Sequence, residues 1–541
     1  MKNIKIKNDG TKNYTPTVRR ALEELSYANG GRLEFEAGEY HFYKEGALKK
    51  FIAVSNNSAC EKHIVFPLIK MKNIRIDGSG AVLVFHDITF PFAVMESERI
   101  ELLNLTVDTG TSPIGSFRIG KISDEGFYLH VDKEKTPYRL ENGGIIFKRE
   151  NGERSGLDKK FSLHGISEWG VQYLFTGECA DTCENLPAKY LLTNAEERDG
   201  GLFLKFKDEN VHGLRYSEGE RVNCILDGGR SSDVILLDRS RDVLIKNVTV
   251  RRGIGMGIIA QLTENIEIDG FKTDESYHGD GATLTADSIH MVNCSGEVEI
   301  RNCEISHTMD DAINIHGMYT RITKCEKDTL TVKIGHVEQY FFNPYVIGDT
   351  VKSLSDESFE YTSELRITDS ALSDDGQNIV LKVERISGKE REGDLLESPY
   401  RMPNVHIHGN KFYTYPHLRI SGAGNILIEN NSFERAIAAL LVKDLAKYWY
   451  ESGRVKNLVF RNNTLKDCNA LAGSAFITVD IDGVAHDKSP KIHGRVEISG
   501  NRFEGVRDKA IVAAGVGELV IKENAFVKES DRVMVIDGKT V

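Results

Sequence analysis

The stretches Val405-His-Ile-His-Gly-Asn-Lys-Phe412 and Ile426-Leu-Ile-Glu-Asn-Asn-Ser-Phe433 decide how this 541-residue chain folds. Each one alternates apolar and polar residues and then ends with asparagine and a bulky apolar residue. Alternation at every second residue is typical of a half-buried strand, and asparagine tolerates the left-handed backbone of a sharp corner. Three later segments follow the same template: 458–465, 496–503 and 519–526.

The template recurs at a nearly regular interval. Its final Phe or Leu falls at positions 412, 433, 465, 503 and 526, which are 21 to 38 residues apart, and related strands occur at 73–107, 234–270 and 298–305. Such self-similarity predicts a solenoid, because each unit buries its apolar face against the next. Since the units are strands, we predict a right-handed parallel β-helix, an all-β fold in which asparagine side chains of successive coils bond to each other.

The repeat is interrupted twice, and each interruption predicts a small inserted β-barrel-like domain. Near the N-terminus, Asp9-Gly-Thr11 precedes an amphipathic segment over 15–27, which predicts a helix that caps the open end of the coil. The predicted organisation has five parts: N-terminal coils with the cap at 1–112, the first insertion at 113–225, central coils at 226–318, the second insertion at 319–402 and C-terminal coils at 403–541.

Composition restricts the partners and the location of the protein. A net charge of −12 and a pI near 5.8 argue against nucleic acid and anionic membranes, whereas a neutral carbohydrate is compatible with such a surface. The N-terminus lacks an apolar signal region, so we expect a cytoplasmic protein as written, or a secreted one if a signal was trimmed. The eight cysteines are scattered, with only Cys179 and Cys183 close, which favours buried free thiols over disulfides or zinc.

Three acidic residues are the candidates for chemistry. Asp310 and Asp311 are adjacent, and aligning the coil at 287–292 with that at 311–316 stacks Asp287 on Asp311. Successive coils lie ~4.8 Å apart, so carboxylates in one column raise the pKa of at least one partner. A protonated acid beside an ionised carboxylate is what glycoside hydrolysis requires. The alternative is that Asp287 and Asp310 are solvated turn residues.

The segment 285–317, with Ala286-Asp-Ser-Ile-His290 and Asn314-Ile-His-Gly317, resembles the core motif of glycoside hydrolase family 110. The resemblance implies an exo-acting α-1,3-galactosidase, such as those that remove the terminal galactose of the blood-group B antigen. It also implies a β-helix with two inserted barrels, inversion of configuration, and no metal or other cofactor. The family's catalytic aspartates match Asp287, Asp310 and Asp311. We expect Asp310 to be the general acid, with the other two sharing activation of water.

Several further residues are predicted to bind substrate. Within the motif, or in its column of the coil, they are His290, Asn314, His316 and Arg419. Trp449 interrupts a later coil and offers a flat face to a sugar ring, and Glu338 belongs to the second insertion, which should overhang the acids. Inversion predicts carboxyl groups ~6.5–9.5 Å apart. Asp287 and Asp311 in one column would lie closer, so one must splay or Asp310 must supply the acid.

Other functions stay open at this point. Paired aspartates on a β-helix also resemble the polygalacturonase and dextranase families, although we see no cluster of Lys and Arg near the acids that would suit an acidic polymer. A polysaccharide lyase is less favoured, because it commonly needs a basic residue with Ca²⁺. A non-catalytic β-helix that binds carbohydrate is the alternative of a different class. Homodimerisation is plausible and has no support in the sequence.

Overall fold

A computed structural model describes residues 2–541 except 135, 142, 150–151, 154–160, 168–169, 177–191, 200, 207–217, 227–229, 416, 423 and 469–474. Cys179 and Cys183 lie outside the described residues. The protein is a parallel β-helix with a helix at its N-terminal end, as the repeat predicted. In the described part of the chain, no helix is long and apolar enough to cross a membrane.

The N-terminal helix spans Thr15–Tyr27 and covers the first coil. Its buried residues, among them Val18, Leu22 and Leu25, join the same apolar core as the strands of the coil. Strands of the N-terminal coils are Lys2–Ile6, Gly31–Phe35, Glu39–Phe42, Leu48–Ile52, Cys60–Ile69, Lys72–Phe85, Phe90–Met95 and Glu98–Thr109. The predicted capping helix is therefore confirmed, since it closes an end that would otherwise expose the core.

Central and C-terminal coils extend this core along the axis as far as Met534. The central strands are Ile235–Asp238, Arg241–Val250, Ile258–Gln261, Glu264–Asp269, Lys272–Thr273, Ile289–Val292, Ser295–Arg301, Glu304–Ser306 and Ile313–Met318. The C-terminal strands are Asn404–His408, Lys411–Tyr415, Leu418–Ile420, Asn425–Glu429, Ser432–Ala436, Leu440–Asp444, Glu451–Ser452, Asn457–Arg461, Thr464–Lys466, Ala475–Ile481, His493–Ser499, Arg502–Glu504, Lys509–Ala513, Val516–Lys522, Ala525–Phe526, Met534–Ile536 and Lys539–Thr540. Short 3₁₀ helices lie at Glu275–Tyr277, Val337–Gln339, His486–Lys488 and Glu529–Asp531.

Asparagines at the corners have two structural roles, one in the backbone turn and one in hydrogen bonding between coils. In the pair Asn430-Asn431, the first residue adopts a positive φ of 57°, and the second is buried and donates its amide to Asn463 at 3.0 Å. Asn463 bonds in the same way to Asn501 on the next coil, at 3.1 Å. The predicted bonding between asparagines of successive coils is present, and it satisfies polar groups that the corner would otherwise bury without partners.

Both interruptions of the repeat are antiparallel β-structures. Strands of the first are Ile114–Ser123, Gly126–His130, Tyr138–Glu141, Gly144–Arg149, Gly152–Glu153, Phe161–Ser167, Gly170–Thr176, Leu192–Arg198, Gly201–Phe206 and Arg221–Ile225, of which seven form one sheet. The second is a closed six-stranded barrel of Thr320–Cys325, Thr329–Ile334, Thr350–Leu354, Tyr361–Leu372, Asn378–Gly388 and Leu395–Glu397. Its apolar core includes Val292 and Met318 of the coils, so the barrel packs directly on the wall that carries the acids.

Candidate active site

Strand register brings the motif residues together on three neighbouring coils. Ile289–Val292 pairs in parallel with Ile313–Met318, which places His290 beside Asn314, and Asn314 in turn pairs with Arg419 on the next coil. The aspartates immediately precede these strands. Asp287, Asp310 and Asp311 each offer a carboxylate oxygen, and these oxygens all lie within 4.8 Å of one another. The three acids therefore form one cluster, which we call the aspartate cluster.

Asp311 is held ionised by two basic side chains. Burial works to raise its pKa, but His417 and Arg419 overcome that effect and bring the pKa well below its usual range. The His417 Nε2 atom lies 2.7 Å from one carboxylate oxygen of Asp311, and Arg419 donates its Nε–H to the other at 3.2 Å. With a side chain that is only 4% exposed, Asp311 is a fixed negative charge in the floor of the site.

Asp310 is the accessible acid of the aspartate cluster. Its side chain is 34% exposed, against 4% for Asp287, and one of its oxygens accepts a hydrogen bond from Arg230 at 2.6 Å. Burial and the nearby charges of Asp287 and Asp311 raise its pKa to about 7, despite the opposing effect of Arg230. Near neutral pH this carboxyl group can therefore donate a proton to a ligand that reaches it.

Asp287 is more buried than Asp310, and its carboxyl group contacts a histidine instead of an arginine. Its Oδ2 atom is 2.6 Å from Nδ1 of His290, and burial together with the charge of Asp311 raises its pKa well above the usual value. The other ring nitrogen of His290 lies 2.9 Å from Nε2 of His316. Both histidine side chains are 1% exposed, so they lie behind Asp287. Their direct contact with substrate stays a prediction that this burial does not favour.

Segments from outside the central coils roof the aspartate cluster. The 3₁₀ helix after the second barrel strand carries Glu338, whose carboxylate lies 3.6 Å from Arg230, and Gln339, which donates its amide to the carbonyl of Trp449 at 2.9 Å. The backbone N–H of Asn57, from an N-terminal loop, donates to the carbonyl of Glu338. As the sequence predicted, the second insertion overhangs the acids, and the roof is tied together by hydrogen bonds across three segments.

The remaining predicted contacts lie along the rim of this roof. The half-buried Trp449 ring packs 4.3 Å from the ring of His336, and the Arg230 guanidinium lies 5.6 Å from the indole. The Glu338 side chain is 32% exposed, although its Oε2 atom, which faces Arg230, is buried. Asn314 is buried, and its side-chain oxygen has no hydrogen-bond partner in the described protein. Contact of Asn314 with a ligand hydroxyl stays a prediction.

Residues that the sequence did not indicate complete the site. Arg230, His417 and Glu451 all reach the aspartate cluster or its histidines. Arg230 joins the predicted Arg419 among the acids, each arginine paired with one aspartate. The positions of Arg230 and Glu451 carried no signal, because both lie outside the repeating parallel strands. His417 could have been found, since it lies two residues before Arg419 in a column already assigned to the site.

Fold and relatives together define the class: the chain is a β-helix glycoside hydrolase. A family model described as right handed beta helix region matches residues 361–531. Alpha-1,3-galactosidase A of Shewanella woodyi is 26% identical, over 95% of this chain and 83% of its own length. Alpha-1,3-galactosidase B of Phocaeicola vulgatus is 26% identical, over 98% and 90%. The resemblance seen in the sequence is therefore confirmed by relatives that match along nearly the whole chain.

Among solved structures, the polygalacturonase of Erwinia carotovora covers 98% of this chain and 94% of its own, at 12% identity and a TM-score of 0.40. This likeness is too distant to bear on function.

Proposed function

We propose that this chain is an exo-acting glycoside hydrolase that releases terminal α-1,3-linked galactose from oligosaccharides with inversion of configuration. The observation that carries the hydrolytic part is the division of protonation between Asp310 and Asp311, one accessible and near neutrality, the other ionised by two basic groups. The galactose and the linkage are taken from the names of the relatives. No cofactor is part of the proposal.

The roof supports exo action. Asn56 donates its amide to Glu451 at 2.9 Å, and Gln339 donates to both Asn56 and the carbonyl of Trp449. These bonds join an N-terminal loop, the second insertion and a C-terminal segment over one side of the acids. A polymer cannot pass through a cleft that is bridged in this way, whereas a terminal sugar can enter from the open side, next to Asp310 and Glu338.

In the proposed reaction, Asp310 gives its proton to the glycosidic oxygen as the bond to the anomeric carbon breaks. A water molecule, held by Asp311 and Asp287, attacks that carbon. Arg230 lies 2.6 Å from Asp310, so it stabilises the carboxylate that proton transfer leaves behind. The rim residues Glu338 and Trp449 are placed to bind the hydroxyls and the apolar face of the sugar.

Two features of the aspartate cluster favour opposite stereochemical outcomes. The nearest oxygens of the aspartate cluster lie within 4.8 Å, which is closer to the ~5–5.5 Å spacing of retaining enzymes than to the ~6.5–9.5 Å of inverting ones. Against this, retention needs a carboxylate that attacks carbon, and Asp311 is a weak nucleophile because His417 and Arg419 hold its charge. The resemblance to family 110 also implies inversion.

A polygalacturonase-like activity is less well supported. An acidic sugar needs free basic groups, and the two arginines of the site are already paired with Asp310 and Asp311. The deciding experiment incubates the protein with an aryl α-galactoside and with Gal-α-1,3-Gal and follows the products by NMR. We expect galactose with the β anomer first. Appearance of the α anomer first would refute inversion, and release of no galactose from either compound would refute the proposed activity.

A further inference from the structure

Hydrogen-bonding atoms behind Asp287 form a chain whose proton positions can be worked out. Its first link is the Nδ1 atom of His316, which lies 2.6 Å from the carbonyl oxygen of Gly317. A carbonyl can only accept, so His316 Nδ1 carries a proton. In a neutral imidazole the other nitrogen is then an acceptor. His316 Nε2 therefore accepts from the Nε2–H of His290, at 2.9 Å.

The same reasoning fixes the proton on Asp287. Because His290 carries its proton on Nε2, its Nδ1 atom is an acceptor that faces Asp287 Oδ2 at 2.6 Å. A bond of that length needs a donor, so Asp287 is the protonated partner. Burial supports neutral rings throughout, since it lowers the pKa of His290 and of His316 to about 4. The raised pKa of Asp287 agrees with this arrangement.

The charged groups around this chain decide where a proton can move. Asp311 and Arg419 lie on the neighbouring coils, Arg230 lies across the site, and Asp233 stands two coils away in the column of Asp287. At the far end, Glu451 Oε1 lies 3.5 Å from His316 Nε2. A carboxyl oxygen thus lies beside His316, so a second proton on that ring would have an acceptor.

We propose that Asp287, His290 and His316 form a proton relay, in which Asp287 is protonated at rest and passes that proton towards His316 as it accepts one from the attacking water. The proposal rests on the proposed hydrolysis for its catalytic part, and on the geometry of the chain together with the burial of its two rings for its resting state. It makes His290 and His316 positioning residues, acting through Asp287 rather than on the sugar.

Atoms and charges balance in this step. The water oxygen bonds to the anomeric carbon and gives one proton to Oδ1 of Asp287. The proton on Oδ2 moves to His290 Nδ1, and the proton on His290 Nε2 moves to His316 Nε2. The electron pair of the broken bond stays with the glycosidic oxygen, which takes the proton of Asp310. Asp310 ends as a carboxylate and His316 as an imidazolium. The relay then runs in reverse: His316 Nε2 returns its proton to His290 Nε2, His290 Nδ1 returns its proton to Asp287 Oδ2, and the proton on Asp287 Oδ1 passes through solvent to Asp310, which restores the site.

The resting state is tested without substrate. Nitrogen-15 NMR of the full chain with labelled histidine reports which ring nitrogen carries the proton, and spectra of His290→Gln and His316→Gln assign the signals. Between pH 5.5 and 8 we expect neutral rings, with the proton on Nε2 in His290 and on Nδ1 in His316. A proton on Nδ1 of His290, or an imidazolium at either position, would overturn the proposal even if the protein hydrolyses galactosides as expected.

The relay itself is tested with His316→Gln, whose side-chain oxygen can accept from His290 but cannot take up a proton. We expect kcat to fall by about 10²-fold with KM changed less than twofold, and the curved dependence of kcat on deuterium content to become linear. His493→Gln is the matched control, since His493 is also fully buried and lies outside the site. An unchanged kcat in a folded His316→Gln protein would refute the relay. Failure of the wild-type protein to hydrolyse any galactoside would refute the proposed function and leave the NMR result to decide the resting state.

Discussion

Replacing Asp310 by asparagine should separate proton donation from the rest of the proposed reaction. An ordinary aspartate of pKa 3.8 is protonated about 0.06% of the time at pH 7, whereas a pKa of about 7 makes it protonated about half the time. The surroundings of Asp310 thus raise the population of the acid form by almost three orders of magnitude. Asparagine keeps the shape of the side chain and removes this proton donor entirely.

The loss should depend on how much the leaving group needs a proton. With Gal-α-1,3-Gal, whose leaving oxygen is strongly basic, we expect kcat/KM to fall by about 10³–10⁴-fold. With dinitrophenyl α-galactoside, which leaves without protonation, the loss should be tenfold or less. Asp328→Asn, in an exposed turn of the second barrel, is the control and should match wild type on both compounds. Equal losses of Asp310→Asn on both substrates would refute its role as general acid.

Three other perturbations follow from the same contacts. The kcat/KM of the wild-type protein should decline above pH about 7, as Asp310 loses its proton, and a pH–rate profile without that decline would contradict the assignment. Arg419→Met removes a positive charge from Asp311, so the acid side of that profile should move to higher pH. Folding also lowers the pKa of Asp311. Its contribution to stability is therefore present above the ordinary value of 3.8 and is lost as pH falls through the folded value. Arg419→Met weakens this contribution, so it should lower the melting temperature at pH 6 more than at pH 3. Asn463→Ala leaves buried partners on two coils unpaired and should cost about 2–4 kcal/mol of unfolding free energy, measured by urea denaturation.

The coils and the proximity of the three aspartates could both be predicted from the sequence because the strands repeat in register. A parallel coil in register sets the neighbours of each side chain by a fixed offset, so aligning 287–292 with 311–316 was sufficient to place His290 beside Asn314. Arg419 followed from the same column. Wherever the backbone repeats, a sequence interval determines a distance in space, and no side-chain detail is needed.

Residues outside the repeating parallel strands could not be placed from a sequence interval. Arg230 lies just after the first insertion, and Glu451 belongs to a short strand that pairs antiparallel with Gly317 and Met318, against the direction of every coil. Loop length, not strand register, sets such positions. His290 and His316 were predicted as site residues, but their burial and the contact with Asp287 were not. These depend on the side-chain rotamer of each ring, which the sequence interval does not determine.

The side chains that surround the aspartate cluster explain why one wall can hold three acids that behave differently. The coil alone would stack Asp287 on Asp311 in similar surroundings, and like charges would then raise the pKa values of both. Basic groups from the C-terminal coil fix Asp311 as an anion, Arg230 holds Asp310 at the opening, and His290 takes the hydrogen bond of Asp287. The repeat supplies the proximity of the carboxylates, and the different partner of each acid supplies the asymmetry that acid–base catalysis requires.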